Sequence, residues 1–182
     1  MENIKELRDD EGVKKLIRNI TEEIVKENRS LKKLVIVGIR TRGEHLAKRI
    51  VNDIKELKDF EVALGILDIT LYRDDVIYNQ NIPILKQTHM PFLTEKGLKG
   101  LTVILIDDVL FTGRTIRAAL DALMDMGRPN KIKLGVLVDR GHRELPIAAD
   151  YVGIKVKTKL KDSVRVCLME TDNKEKIIHK EN

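Results

Sequence analysis

Asp107 and Asp108 stand side by side, and Thr112-Gly113-Arg114-Thr115 follows shortly after them. Two adjacent carboxylates offer acceptors for paired hydroxyls or oxygen ligands around a hard cation. Two threonine hydroxyls, an arginine and a glycine that frees its neighbours' backbone N–H groups offer donors to an anion, phosphate above all. A second set lies upstream, Gly38-Ile39-Arg40-Thr41-Arg42-Gly43. Its glycines let the backbone approach a charged group, and its arginines present planar forks suited to phosphate oxygens. The chain therefore carries one acidic and two anion-binding stretches, which need elements that bring them to one place.

Those elements are legible around each stretch. Val103, Ile104, Leu105 and Ile106 are an uninterrupted apolar run, as in a strand buried on both faces of a parallel sheet. The acid pair falls at its C-terminal end, where open α/β sheets bind ligands. Behind the threonines, Ile116, Ala119, Leu120 and Leu123 share one helical face, and Gly127 and Pro129 close that helix. Its positive end meets the Thr-Gly-Arg-Thr stretch. Leu34 to Val37 read as a strand before the Gly38 loop, with Leu46, Ala47, Ile50, Val51 and Ile54 lining the helix after it. Residues 9–28 predict an amphipathic helix capped by Asp9 or Asp10, with Val13, Leu16, Ile17, Ile20 and Ile24 inward and a mixed, solvated charged face. Val62 to Tyr72 is a third strand-like run. A polar stretch then leads to Pro91, and residues 71–91 are expected to form a lid over the site. Lys133 to Val138 predict another buried strand, Asp150 to Ile154 and Val164 to Leu168 shorter ones, and Ile177-Ile178 a terminal one. The succession predicts an α/β fold with an open, mostly parallel, doubly wound sheet, in a single domain spanning residues 1–182.

Composition sets bounds. The 182 residues include 34 basic and 29 acidic ones, a net charge of +5 that suits an anionic ligand. Aromatics are only 3%, so the core must be aliphatic. One cysteine, Cys167, excludes an internal disulfide and fits a reducing compartment. With no apolar run of spanning length and a charged start, a cytoplasmic protein without membrane contact is expected.

The 103–115 stretch resembles the phosphoribosyl-pyrophosphate (PRPP) signature of the type I phosphoribosyltransferases. Four stretches extend the likeness: Gly38 to Gly43, Asp68-Ile-Thr-Leu-Tyr-Arg-Asp-Asp75, Gly127-Arg-Pro129 and Val138-Asp-Arg-Gly-His-Arg-Glu-Leu-Pro146. Together they resemble the pyrimidine operon attenuation regulators, a family that is also a uracil phosphoribosyltransferase. The resemblance implies the type I phosphoribosyltransferase fold, with a flexible lid loop and a small hood whose C-terminal segment spans about 142–162. It implies that Asp107 and Asp108 hold the ribose hydroxyls, while Thr112, Gly113, Arg114 and Thr115 hold the 5′-phosphate. Thr41 and Arg42 take the pyrophosphate, with Arg73 and Arg140 as catalytic helpers. It further implies Mg²⁺ bound through ligand oxygens and the two acids, the reaction of uracil and PRPP to UMP, and regulation by UMP or UTP. Phe111 stands where hypoxanthine-type enzymes usually carry an acid, which argues against a purine. The family's second function, binding a hairpin in pyr mRNA leaders, points to His142, Arg143 and Arg18. A homodimer or dimer of dimers is implied as well. The chain departs from the family pattern at Arg18-Asn19, Ala148 and Ile154, while lysines appear at Lys155, Lys157, Lys159 and Lys161. The alternative expectation is an enzyme with RNA regulation lost or altered.

Overall fold

A computed structural model describes residues 3–28, 30–74 and 87–182. Its centre is a five-stranded, all-parallel sheet in the order β3-β2-β4-β5-β6, built from β2 (Leu34–Ile39), β3 (Ala63–Leu67), β4 (Thr102–Leu110), β5 (Lys131–Asp139) and β6 (Tyr151–Lys155). Alternate residues of β2 and β4 serve opposite faces. Ile36, Ile104 and Ile106 pack with α1 (Asp10–Glu27) and α2 (Arg42–Lys58), whereas Val35, Val37, Val103 and Leu105 pack with α3 (Arg114–Asp125). Both faces are covered, which is why the strands read as continuous apolar runs.

The expected helix starts and stops hold in detail. Asp9 caps α1, its carboxylate accepting from the Gly12 N–H at 2.9 Å. The five predicted stripe residues of α1, Val13 to Ile24, are all buried. One element is shorter than its sequence implies. The run to Tyr72 stops being strand at Leu67, because the Asp68 carboxylate accepts from both the N–H and the hydroxyl of Thr70 and turns the chain into a 3₁₀ turn over Thr70–Tyr72. Of the expected lid, only residues 71–74 and 87–91 lie among the described residues.

A second, three-stranded antiparallel sheet has the order β1-β8-β7, from β1 (Asn3–Arg8), β7 (Ser163–Cys167) and β8 (Lys176–Glu181). Sequence patterning missed β1, a polar edge strand with Ile4 largely exposed. A short helix, α4 (Met169–Asp172), joins β7 to the turn before β8.

This sheet is pinned by a buried contact between Asp162 and His179. The Asp162 carboxylate accepts from the Lys159 N–H at 2.7 Å and pairs with His179 at 2.9 Å. Those two bonds hold its pKa down to about 2, from an ordinary 3.8. A carboxyl with a lower pKa in the fold than in the unfolded chain adds stability that is complete above the unfolded value and is lost as pH falls through the folded one. Asp162→Asn is therefore expected to melt below the parent at neutral pH, with the gap closing between about 3.8 and about 2. Thermal unfolding followed by circular dichroism across that range tests it; a constant gap would show that geometry, not charge, matters there.

Candidate functional site

Strand order reverses between β2 and β4, the switch point where an open sheet has its crevice. Gly38 lies level with Ile106, and Leu110 level with Asp139. The loops after β2, β4 and β5 therefore leave the sheet at one edge.

The first loop lies directly on the tip of β4. A methyl group at Gly43 would stand 2.4 Å from the Ile106 carbonyl oxygen and 3.2 Å from the Asp107 Cα. One at Gly38 would stand 2.4 Å from the Gly43 carbonyl oxygen. The Arg40–Thr41 peptide is cis, and Thr41 precedes the first residue of α2. Arg40 reaches the Glu44 carboxylate at 2.7 Å and donates to the Gln87 carbonyl at 3.1 Å.

The acid pair sits at this tip, Asp107 buried at 7% exposure and Asp108 half-buried. Burial pushes the Asp107 carboxyl well above the usual carboxylate range, and the charge of Asp108 adds to the effect while Arg73 opposes it. Burial also raises Asp108, against the Val109 N–H at 2.9 Å and the charge of Arg42. Arg42 and Arg73 thus act on the acids as charges of opposite sign.

Arg42 is itself held. Its Nη2 donates to Asp172 at 3.0 Å, and its Nε does so at 3.3 Å. Burial of Asp172 would raise its pKa, but Arg42, Thr171, the Leu168 N–H and Arg165 outweigh that and keep it well below the ordinary value. Arg49 of α2 binds Glu170 and Glu175 in the same way. The second sheet and α4 are therefore bolted to the start of α2.

In the loop after β4, Gly113 has φ of +95°, a conformation open to glycine with little cost. The Thr112 carbonyl accepts from the N–H groups of Glu144 at 2.9 Å and Leu145 at 3.2 Å, which ties this loop to the one after β5. Thr115 lies in the first turn of α3, whose free N–H groups face the edge. The Arg114 side chain turns aside to Glu144 at 2.6 Å and Asp74 at 2.7 Å, so the loop's donors are its backbone and hydroxyls.

Arg140 is buried and donates to the Lys159 carbonyl at 3.1 Å. Its guanidinium lies 4.1 Å from the Phe111 ring centroid, and its buried Nε has no conventional acceptor. The aromatic face takes that place. His142, at φ of +58°, reaches the Thr158 carbonyl at 2.7 Å. Arg143 donates to the carbonyls of Ile147, Phe111 and Gly141 and pairs with Asp139 at 2.6 Å, so it folds its own loop. Arg18 lies on α1, paired with Glu22 and Glu56. Ten predicted residues meet at the sheet edge or act on it: Thr41, Arg42, Arg73, Asp107, Asp108, Thr112 to Thr115 and Arg140. Asp172, Asp74 and Glu144 were not foreseen. Their partners are distant in sequence, and no local pattern marks them.

A groove of about 650 Å³ between the C-terminal ends of α1 and α2, lined by Val25, Asn28, Leu31 and Leu57 among others, lies away from these loops. Among the described residues no cluster of three or more His, Cys, Asp or Glu could enclose a metal. No helix among them is long and apolar enough to cross a membrane.

Residues 3–169 match the model of the phosphoribosyl transferase domain. A protein of Alkaliphilus metalliredigens named bifunctional protein PyrR is 49% identical over 172 residues, 94% of this chain and 92% of that one. One of the same name from Deinococcus radiodurans is 51% identical over 160 residues, 88% and 85% of the two chains. Among solved structures, a hypoxanthine-guanine phosphoribosyltransferase of Bacillus anthracis superposes with a TM-score of 0.70 over 97% of this chain and 98% of that one, at 17% identity. A hypoxanthine phosphoribosyltransferase of Staphylococcus aureus gives 0.68 over 96% and 90%, at 21% identity. At such identities these two speak for the fold alone.

Proposed function

The chain belongs to the phosphoribosyltransferase family, and to its bifunctional PyrR branch, and from this we propose that it makes UMP and pyrophosphate from uracil and PRPP and, with a uridine nucleotide bound, attenuates transcription by binding pyr leader mRNA. One observation carries the enzymatic reading. One anion loop is packed on the tip that carries the acid pair and the second follows that pair in the chain, at the switch point of the sheet.

In this reading Asp107 and Asp108 accept from the ribose hydroxyls. The backbone N–H groups and hydroxyls of Thr112, Gly113 and Thr115 hold the 5′-phosphate, with Arg114 bracing the loop from outside. Thr41 and Arg42 bind the pyrophosphate. The departing group takes its electrons with it, so positive charge builds on the sugar; the acid pair lies beside that charge, and Arg42 and Arg73 lie nearer the opposite one. Arg140 acts at a distance, by seating Phe111. The donor set fits Mg²⁺. Two carboxylates without a third cannot cage the ion, so Asp107 and Asp108 would hold it only together with a bound substrate. Bound there, Mg²⁺ would neutralise pyrophosphate charge.

For RNA, Arg18 and His142 are the candidate contacts, and Arg143 contributes by ordering the 139–147 loop. Protein and a labelled UMP product separate the readings. Incubation with uracil, PRPP and Mg²⁺ is expected to give UMP, and hypoxanthine in place of uracil is expected to give none. Failure with uracil would refute the enzymatic reading.

A positioning role follows for Asp172. Asp172→Asn leaves Arg42 without its bidentate partner and is expected to raise the KM for PRPP about tenfold, with a smaller change in kcat. A fall in kcat with KM unchanged would mean that Arg42 contributes in the transition state alone.

A further inference from the structure

Between the sheet edge and the second sheet runs a segment in which burial alternates residue by residue. Ile154, Val156 and Thr158 are partly buried, while Lys155, Lys157 and Lys159 are exposed. The inward positions are fastened to the loop after β5. The Val156 N–H donates to the Asp139 carbonyl at 2.9 Å, and the Thr158 carbonyl is held by His142 at 2.7 Å. Arg140 and Asp162 hold the carbonyl and N–H of Lys159, at 3.1 Å and 2.7 Å. A backbone secured in this way presents every second side chain outward, at a repeat of about 6.6 Å where it is extended. Lys161 follows beyond a turn, with Leu160 exposed on it.

None of these four lysines has an ion-pair partner among the described residues. Lys14, Lys48, Lys55, Lys133 and Lys176 are paired with carboxylates; what sets the row apart from other unpaired lysines is its regular spacing on one secured backbone. A row of unpaired cations on an ordered backbone exposes positive charge without the entropy loss of ordering a loop.

We propose that Lys155, Lys157 and Lys159, continued by Lys161, are the track on which this chain holds the phosphate backbone of leader RNA. The proposal rests on the RNA-regulatory reading above and assigns it to residues. The repeat is comparable with the separation of successive phosphates along an extended strand, and evenly spaced cations are what a phosphate backbone needs. A folded protein partner would need an apolar centre, and the row offers only Leu160. The row is also close to the nucleotide loop. Arg140 bonds the Lys159 carbonyl while stacking on Phe111, the residue before Thr112.

The test uses the full chain with UMP and a labelled transcript of the leader that precedes the host's pyrimidine-biosynthetic genes. Binding is measured from about 50 to about 200 mM salt. Removing three phosphate contacts in Lys155→Gln/Lys157→Gln/Lys159→Gln is expected to reduce the slope of log K against log salt by about 2 to 3. Lys96→Gln/Lys99→Gln/Lys131→Gln, which removes the same charge at the opposite edge of the sheet, is expected to keep the parental slope. The triple Lys→Arg variant of the row is expected to restore it. If the parent and the control bind and the row variant binds with the parental slope, the row assignment fails alone. If the parent binds no leader RNA, the regulatory reading fails and the row with it. If poly-glutamate competes as well as RNA of equal charge, the row is a site for acidic chains and the assignment to RNA is overturned.

Discussion

Asp107→Asn/Asp108→Asn is expected to give a protein that melts above the parent and forms UMP at least about 10³-fold more slowly. The two effects have one cause. Burial raises both carboxyl pKa values in the fold, and the charge of Asp108 raises that of Asp107 further. The folded chain therefore keeps protons there that the unfolded chain has released. Stability falls as pH rises from the unfolded value, about 3.8, through the raised ones, and the loss is complete above them. Asparagine removes that loss because it carries no charge to desolvate. In the proposed reaction it also removes the negative charge that faces the cationic sugar. The gain in melting temperature is expected to be absent near pH 3 and to grow as pH rises toward 8, with each 1 kcal/mol worth roughly 2–4 °C in a chain of this size. Calorimetry at the two pH values, with UMP formation measured in parallel, decides it. A variant that melts below the parent at pH 8 would make the acids structural. Unchanged activity would remove them from the ribose.

Gly43→Ala is expected to lower kcat/KM by about 10²-fold and to destabilise the chain, although alanine is the better helix former. Gly43 is the second residue of α2, so propensity alone favours alanine by about 1 kcal/mol. The added methyl would stand 2.4 Å from the Ile106 carbonyl oxygen. That oxygen belongs to a backbone paired on both sides, to Gly38 of β2 and Gly135 of β5, and cannot swing away. Overpacking of this kind costs typically 1–3 kcal/mol, so the clash outweighs the propensity. The start of α2 must lift, carrying Thr41 and Arg42 away from the acid pair, and a displacement near 1 Å is worth about 10² in rate. Steady-state kinetics with PRPP varied, alongside thermal melting, tests both halves. A more stable variant with parental kinetics would show that the loop sits higher than described.

The glycine illustrates how far the sequence reaches. Two glycines and two arginines in six residues mark an anion loop, and the reason first apparent is close approach of backbone to ligand. In the fold, Gly38 and Gly43 serve close approach of backbone to backbone, which seats that loop on β4. The same distinction divides the arginines. Charge type and spacing mark Arg42 and Arg114 as candidates for an anion site, and the family resemblance adds Arg140 as a helper and Arg143 as an RNA contact. Only the folded chain shows Arg114 paired with Asp74 and Glu144, Arg140 lying on Phe111, and Arg143 closing its own loop.

What the sequence determined by itself was the parallel sheet, its helices and the edge where the candidate site residues gather. Those follow from hydrophobic period, caps and strand-end charges, all encoded within a few residues of one another. The tertiary structure alone decided what joins across distance. Asp172 restrains Arg42 from 130 residues away. β1 finds β8 at the other end of the chain, and burial, not composition, sets the protonation of the acid pair. Such pairings depend on which surfaces exclude water from each other. No local pattern carries that information, because each partner taken alone is an ordinary charged residue.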